Sequence, residues 1–133
     1  MPFILDSFAL MAHFCAEPGG ERVRDVLRSC REGRENAWIP MINIGEAIYL
    51  TSRRNGPLAA SVVLGEIDRL PVSQLPTTRE RIIAAAHIRA RHRLSYADAF
   101  VAGAGLELAA TILTGDPEFR SIEDEVDIEW LNS

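Results

Sequence analysis

Phe3-Ile4-Leu5 is a short apolar run cut off by Asp6, the pattern of a parallel strand buried on both faces. Behind it, Phe8, Leu10, Met11 and Phe14 recur at helical spacing and predict a helix over Ser7 to Cys15, stopped by Pro18-Gly19-Gly20. A second amphipathic helix follows from Glu21 to Arg31, with Val23, Val26, Leu27 and Cys30 on one face and Arg24, Arg28 and Arg31 on another. Ala37-Trp38-Ile39-Pro40 reads as the next strand, and Met41 to Arg54 as a helix closed by Asn55-Gly56. Pro57 sits where a first helical turn accepts it and opens a helix to about Leu70. Pro71 to Leu75 is a third strand or strand-like link. Thr77 with Glu80 forms a capping box ahead of a helix to about Arg91, and Ser95 with Asp98 forms another ahead of an apolar helix to Ala109 or Ala110. Thr111 to Thr114 is a fourth strand, ended by Gly115-Asp116-Pro117, and Val126 to Leu131 alternates like an edge strand. Strands separated by helices predict an α/β fold, three-layer α/β/α with a mostly parallel central sheet, as a single domain over residues 1–133.

Composition narrows the function classes. The chain has 133 residues, is 47% hydrophobic and 25% charged, and is long enough to bury a core without disulfide or metal staples. Nothing approaches the ~20 apolar residues of a membrane span. Asp6 interrupts the apolar N-terminus and the first basic residue is Arg22, so no secretory leader is expected. Cys15 and Cys30 make no CxxC pair and are expected as partly buried thiols in a reducing cytoplasm. The net charge is −5, yet all 14 basic residues are Arg, and the stretch from Glu123 to Glu129 alone holds five acids. Without those five and four strand-end carboxylates, ten acids face 14 Arg, so overall acidity does not exclude a nucleic-acid partner.

Those four carboxylates carry the chemistry. Asp6 and Asp116 end strands one and four, Glu46 lies early in the helix after strand two, and Asp98 opens the helix leading into strand four. In a parallel sheet the ligand site lies outside the carboxyl ends of the strands; Asp6 and Asp116 share that edge, Glu46 starts near it, and Asp98 joins them if its helix begins beyond the edge. Each has an ordinary structural reading. Asp6 can cap the next helix, Asn43 with Glu46 and Ser95 with Asp98 make capping boxes, and Asp116 before Pro117 suits a turn. Four separate caps need not gather at one end, however. Clustered carboxylates repel one another and attract hard divalent cations. The lack of Cys and His nearby favours Mg²⁺ or Mn²⁺ over zinc. His13, His87 and His92 show no partner pattern and read as helix-face residues.

The ordered set of Phe-Ile-Leu-Asp6-Ser7, Ile-Pro-Met-Ile-Asn-Ile-Gly-Glu46, Leu-Ser-Tyr-Ala-Asp98-Ala-Phe and Ile-Leu-Thr114-Gly-Asp116-Pro-Glu-Phe119 resembles a PIN domain. More narrowly, it resembles the VapC ribonuclease toxins of type II toxin–antitoxin pairs. The resemblance covers essentially the whole chain and implies RNA cleavage at a Mg²⁺ site, with Mn²⁺ a possible substitute. Carried over, Asp6 and Asp98 become the main metal ligands, with Glu46 and Asp116 completing the acidic cluster. Thr114 and Ser7 hold these groups through their hydroxyls. Asn43 stands where a small hydroxyl residue is frequent, and Tyr96 either packs or walls the substrate groove. The family also implies a small VapB-like antitoxin, a homodimer, and contact with operator DNA only through the antitoxin. Phe8, Met11, Phe14, Val26 and Leu27 on the first two helices read mostly as core, with a groove between those helices as the place an amphipathic antitoxin helix could occupy. The alternatives are a non-catalytic interaction module on the same fold, or an RNA-processing PIN nuclease with no antitoxin.

Overall fold

The computed structural model describes residues 2–131. Five strands, β1 (Pro2–Leu5), β2 (Asn36–Pro40), β3 (Ser73–Leu75), β4 (Thr111–Thr114) and β5 (Ile128–Trp130), form one sheet in the order β3-β2-β1-β4-β5. Every adjacent pair is parallel. Six helices connect them: α1 (Ser7–Phe14), α2 (Gly20–Arg31), α3 (Met41–Asn55), α4 (Pro57–Asp68), α5 (Arg79–Arg91) and α6 (Tyr96–Leu108). A 3-10 helix, Pro117–Ile122, bridges β4 and β5.

Strand alternation divides the core between the two sheet faces. Phe3, Leu5, Ala37, Ile39 and Leu113 point into one cluster with Ala9 and Leu10 of α1, Val23 and Val26 of α2, and Ala47 and Ile67 of the α3–α4 pair. Ile4 and Ile112 point the opposite way, into Ala85 and Ile88 of α5, Ala99 and Val101 of α6, and Phe119 and Ile122 of the 3-10 helix. Both faces are covered, and the architecture is the three-layer α/β/α sandwich expected. The central strands β1 and β4 are apolar on both faces because both faces are buried.

Several local expectations need correction. Thr78, not Thr77, caps α5, its side chain accepting the Arg81 N–H at 3.3 Å. Asn43 and Glu46 form no capping box, because α3 already begins at Met41 behind Pro40. Met11, Val26 and Leu27 are core residues and Phe8 and Phe14 are half-buried, so this face is mostly core, although Phe8 and Met11 also line a surface cavity. The exposed apolar side chains include Leu58 and Val62 on α4, 80% and 57% exposed. Cys15 is exposed and Cys30 half-buried, both free. His92 does have partners: Nδ1 lies 3.1 Å from the Ser121 carbonyl and Nε2 2.6 Å from Glu125. The acidic stretch is partly neutralised too, with Glu129 paired to Arg22 at 2.6 Å. No helix among the described residues is long and apolar enough to cross a membrane.

Candidate metal centre

Asp6 follows the last residue of β1 and caps α1, with Oδ1 accepting the Ala9 N–H at 2.9 Å. Its other oxygen, Oδ2, accepts the Thr114 hydroxyl at 2.5 Å from the end of the adjacent strand β4. Thr114 Oγ1 in turn accepts the Asp116 N–H at 3.0 Å, so one hydroxyl ties both strand-end acids together. The parallel register that pairs Leu5 with Leu113 sets Asp6 beside Thr114. Gly115 between them is required by contact. A Cβ there would lie 2.3 Å from the Phe8 ring, closer than any side chain tolerates.

Asp116 also caps the 3-10 helix, accepting the Glu118 N–H at 2.9 Å. Phe119 and Ile122, both fully buried, pin that helix to the sheet. Glu46 projects from α3, and the Ser7 hydroxyl donates to its Oε1. Asp98 sits in the first turn of α6, where Ser95 Oγ accepts the Asp98 N–H at 3.1 Å. The Asp98 carboxyl group lies within hydrogen-bonding reach of Asp116 and Glu118. The expected capping role of Asp6 is therefore real, Asp116 proves to be a cap as well as a turn residue, and the same carboxylates still lie at the carboxyl edge of the sheet. Asp6, Thr114, Asp98 and Asn43 are buried, Glu46 and Asp116 half-buried.

The electrostatics are those of crowded acids. Burial pushes the Asp6 carboxyl up from 3.8 to about 7, against the lowering hydrogen bonds from Thr114 and Ala9, with the charges of Asp116 and Glu46 adding to the rise. Asp98 is pushed far up by burial first, then by the neighbouring charge of Asp116 and by Asp6. None of Asp6, Glu46, Asp98, Asp116 and Glu118 forms an ion pair with a basic residue among the described residues. Beside them, a cavity of about 460 Å³ is lined by Ser7, Glu46 and Asp116 together with Phe8, Leu50 and Arg54. Arg54 is its one cationic lining residue among the described residues, so the cavity is not arginine-rich.

Oxygen atoms of Asp98, Asp116 and Glu118 lie within 4.8 Å of one another, close enough to share a cation. Glu118 was not among the acids singled out from the sequence. It follows Asp116 by two residues, and that spacing within a turn was its only signal. The donor set is all hard oxygen, which suits Mg²⁺ or Mn²⁺ and not softer metals. Asn43 lies one turn before Glu46 on the same face of α3, fully buried, with neither polar atom of its amide partnered among the described residues. An orphaned amide beside uncompensated acids fits a centre completed by a cation and its water.

A PIN domain family model matches residues 3–125, and the chain belongs to that family. Its fold is similar to VapBC2 from Rickettsia felis, solved bound to a DNA fragment from its promoter, at 14% identity and a TM-score of 0.76 over 97% of this chain and 98% of that one. It is similar to DNA-bound VapBC from Salmonella typhimurium at 22% identity and a TM-score of 0.75, covering 98% of each chain. VapC20 from Mycobacterium tuberculosis, a toxin that cleaves the sarcin-ricin loop, matches at 18% identity and a TM-score of 0.70 over 90% of this chain and 93% of that one. No curated protein matches the chain by sequence.

Proposed function

We propose that this PIN domain is a divalent-metal-dependent endoribonuclease and the toxin of a VapBC-like toxin–antitoxin pair. The observation that carries the nuclease reading is the convergence of Asp6, Asp98 and Asp116, with Glu46 held by Ser7, and with no basic side chain paired to any of them among the described residues. Asp6, Asp98 and Asp116 would hold Mg²⁺, and Glu46 would hold a metal-bound water. The ion, when bound, lowers the pKa of its water and stabilises charge on the phosphodiester. Thr114 keeps Asp6 and the Asp116 backbone in register, and Ser7 fixes the rotamer of Glu46. Asn43 supplies a buried amide beside the acids. Arg54, at the mouth of the cavity, is available to a phosphate of the substrate.

The toxin reading rests on structural neighbours such as the toxin VapC20 and a toxin–antitoxin complex from Klebsiella pneumoniae. An active ribonuclease must be held off in its own cytoplasm. We place the protein there, as a homodimer with a small antitoxin, reaching operator DNA only through that partner. The exposed Leu58 and Val62 on α4 are apolar positions available to such a partner. The deciding experiment is cleavage of total RNA by the purified chain in Mg²⁺, in Mn²⁺ and in EDTA, with the cut sites mapped, repeated with the product of the neighbouring small reading frame added. Cleavage that needs the metal and stops on addition of the partner supports the proposal. Activity undiminished in EDTA overturns the nuclease reading. A protein harmless when expressed alone, with no small partner captured, overturns the toxin reading.

A further inference from the structure

Ser95-Tyr96-Ala97-Asp98 is a capping box in sequence, and a closed box would turn the Asp98 carboxylate back onto the Ser95 N–H. Only half of it forms. Ser95 Oγ accepts the Asp98 N–H at 3.1 Å, but the Ser95 N–H donates to Glu118 Oε1 at 2.8 Å, from a segment 23 residues further on. The carboxylate of Asp98 instead faces the carboxyl groups of Asp116 and Glu118, with Asp6 nearby.

We propose that Glu118 is a positioning residue for the metal centre: by taking the Ser95 N–H it closes the cap of α6 from outside and keeps the Asp98 carboxylate free to face the cation. A residue in the first helical turn of a capping box has a ready local acceptor role, and the orphan N–H at a helix start must find some partner. Without Glu118 the acceptor that the capping box itself offers is Asp98. Glu118 is well held for the task. Its own N–H is fixed by Asp116, and buried Phe119 anchors the turn beside it. The consequence for metal binding rests on the metal reading proposed above; the exchange of acceptors does not.

Two variants of the full chain separate this role from a simple loss of charge. Glu118→Gln keeps an oxygen acceptor for the Ser95 N–H, whereas Glu118→Ala removes it. Mn²⁺ affinity, read by electron paramagnetic resonance at fixed pH, should fall at least about tenfold in Glu118→Ala, as loss of a ligand's support does. In Glu118→Gln, which loses the charge but keeps the acceptor, it should fall clearly less than in Glu118→Ala. Amide exchange should show the Ser95 N–H still protected in Glu118→Ala, because Asp98 has replaced Glu118 as its acceptor. Wild-type affinity in Glu118→Ala, or equal loss in both variants, overturns the proposal. So does an unprotected Ser95 N–H in Glu118→Ala, an outcome that decides the matter even if the wild-type protein binds no Mn²⁺ and the metal reading itself fails.

Discussion

Asp6 holds its carboxylate between two donors, the Ala9 N–H and the Thr114 hydroxyl, whereas Asp98 holds its own against the carboxyl groups of Asp116 and Glu118. Both are buried and both are pushed up from the ordinary aspartate range, with desolvation the first cause in each case. They differ in what opposes that cost. On the β1 side the protein supplies hydrogen bonds that favour the charged form. On the α6 side it supplies more negative charge, and only a proton or a cation relieves the crowding. One half of the centre is held by the fold's own hydrogen bonds; the other carries a repulsion that the described residues leave uncompensated.

The comparison can be broken most severely by removing charge from each half. Asp6→Asn and Asp98→Asn should each lower metal-dependent RNA cleavage by about a thousandfold or more, since a metal's charge stabilisation amounts to several kcal/mol. Their stabilities should part company, however. Without metal at pH 8, Asp98→Asn should melt at or above the wild-type temperature, because it relieves repulsion. Asp6→Ala should melt lower at pH 4, where Asp6 keeps its proton, losing about 1 kcal/mol with the cap of α1. If Asp98→Asn is clearly destabilised without metal, Asp98 is a structural cap and the asymmetry is wrong.

The second test is pH. A carboxyl held at about 7 when folded and at 3.8 when unfolded keeps its proton in the folded state over a window in which the unfolded chain has lost it. Metal-free stability is therefore fully present below about 4 and falls as pH rises through 7, at about 1.4 kcal/mol per pH unit for each such proton. Asp98 acts in the same direction. Mg²⁺ must displace these protons, so its affinity should rise over the same window and flatten the loss. Urea unfolding between pH 4.5 and 8.5, in EDTA and in Mg²⁺, reads both slopes. A metal-free protein that gains stability from pH 5 to 8 contradicts them.

Smaller changes sharpen the contrast. Thr114→Val keeps the shape but removes the donor to Asp6 and the acceptor for the Asp116 N–H. It should cost about 1–3 kcal/mol in thermal or urea unfolding at neutral pH. It should also shift the pH dependence of metal binding upward, because the Thr114 hydrogen bond holds Asp6 down. Ser7→Ala frees only Glu46, which is half-buried and can reach water. Its effect on stability should stay near 0.5–1.5 kcal/mol, with a loss of activity no larger than about tenfold. Equal pH shifts from the two hydroxyl variants would show that the Asp6 side is not specially held.

The strands and helices were legible because this fold writes them plainly. A parallel strand buried on both faces must be apolar throughout, so Phe3 to Leu5 and Thr111 to Thr114 stand out, and Asp6 and Asp116 mark their ends. Asp6 and Asp116 could be named from sequence because a carboxylate at a strand end interrupts an apolar pattern. Capping was less legible. Thr77 and Thr78 both fit a helix start, and the chain uses Thr78. Asn43 and Glu46 have the spacing of a box but fall inside a helix that begins earlier. Spacing shows which residues can meet; which of them do meet depends on where the backbone begins to turn.

Sequence alone determined the order of elements, the both-faces-buried sheet and the acidic edge, since all three follow from local polarity and the period of each element. Only the tertiary structure decided that Thr114 serves Asp6 and Asp116 together, that Ser7 reaches Glu46, and that Glu118 takes the Ser95 N–H. Those contacts join residues far apart along the chain, and a hydrogen bond between distant segments leaves no periodic trace in the segments it joins. The Met11, Val26 and Leu27 positions teach the same lesson in reverse. Their apolar spacing was plain, but whether an apolar helix face meets the sheet or a partner is settled by what the rest of the fold lays against it.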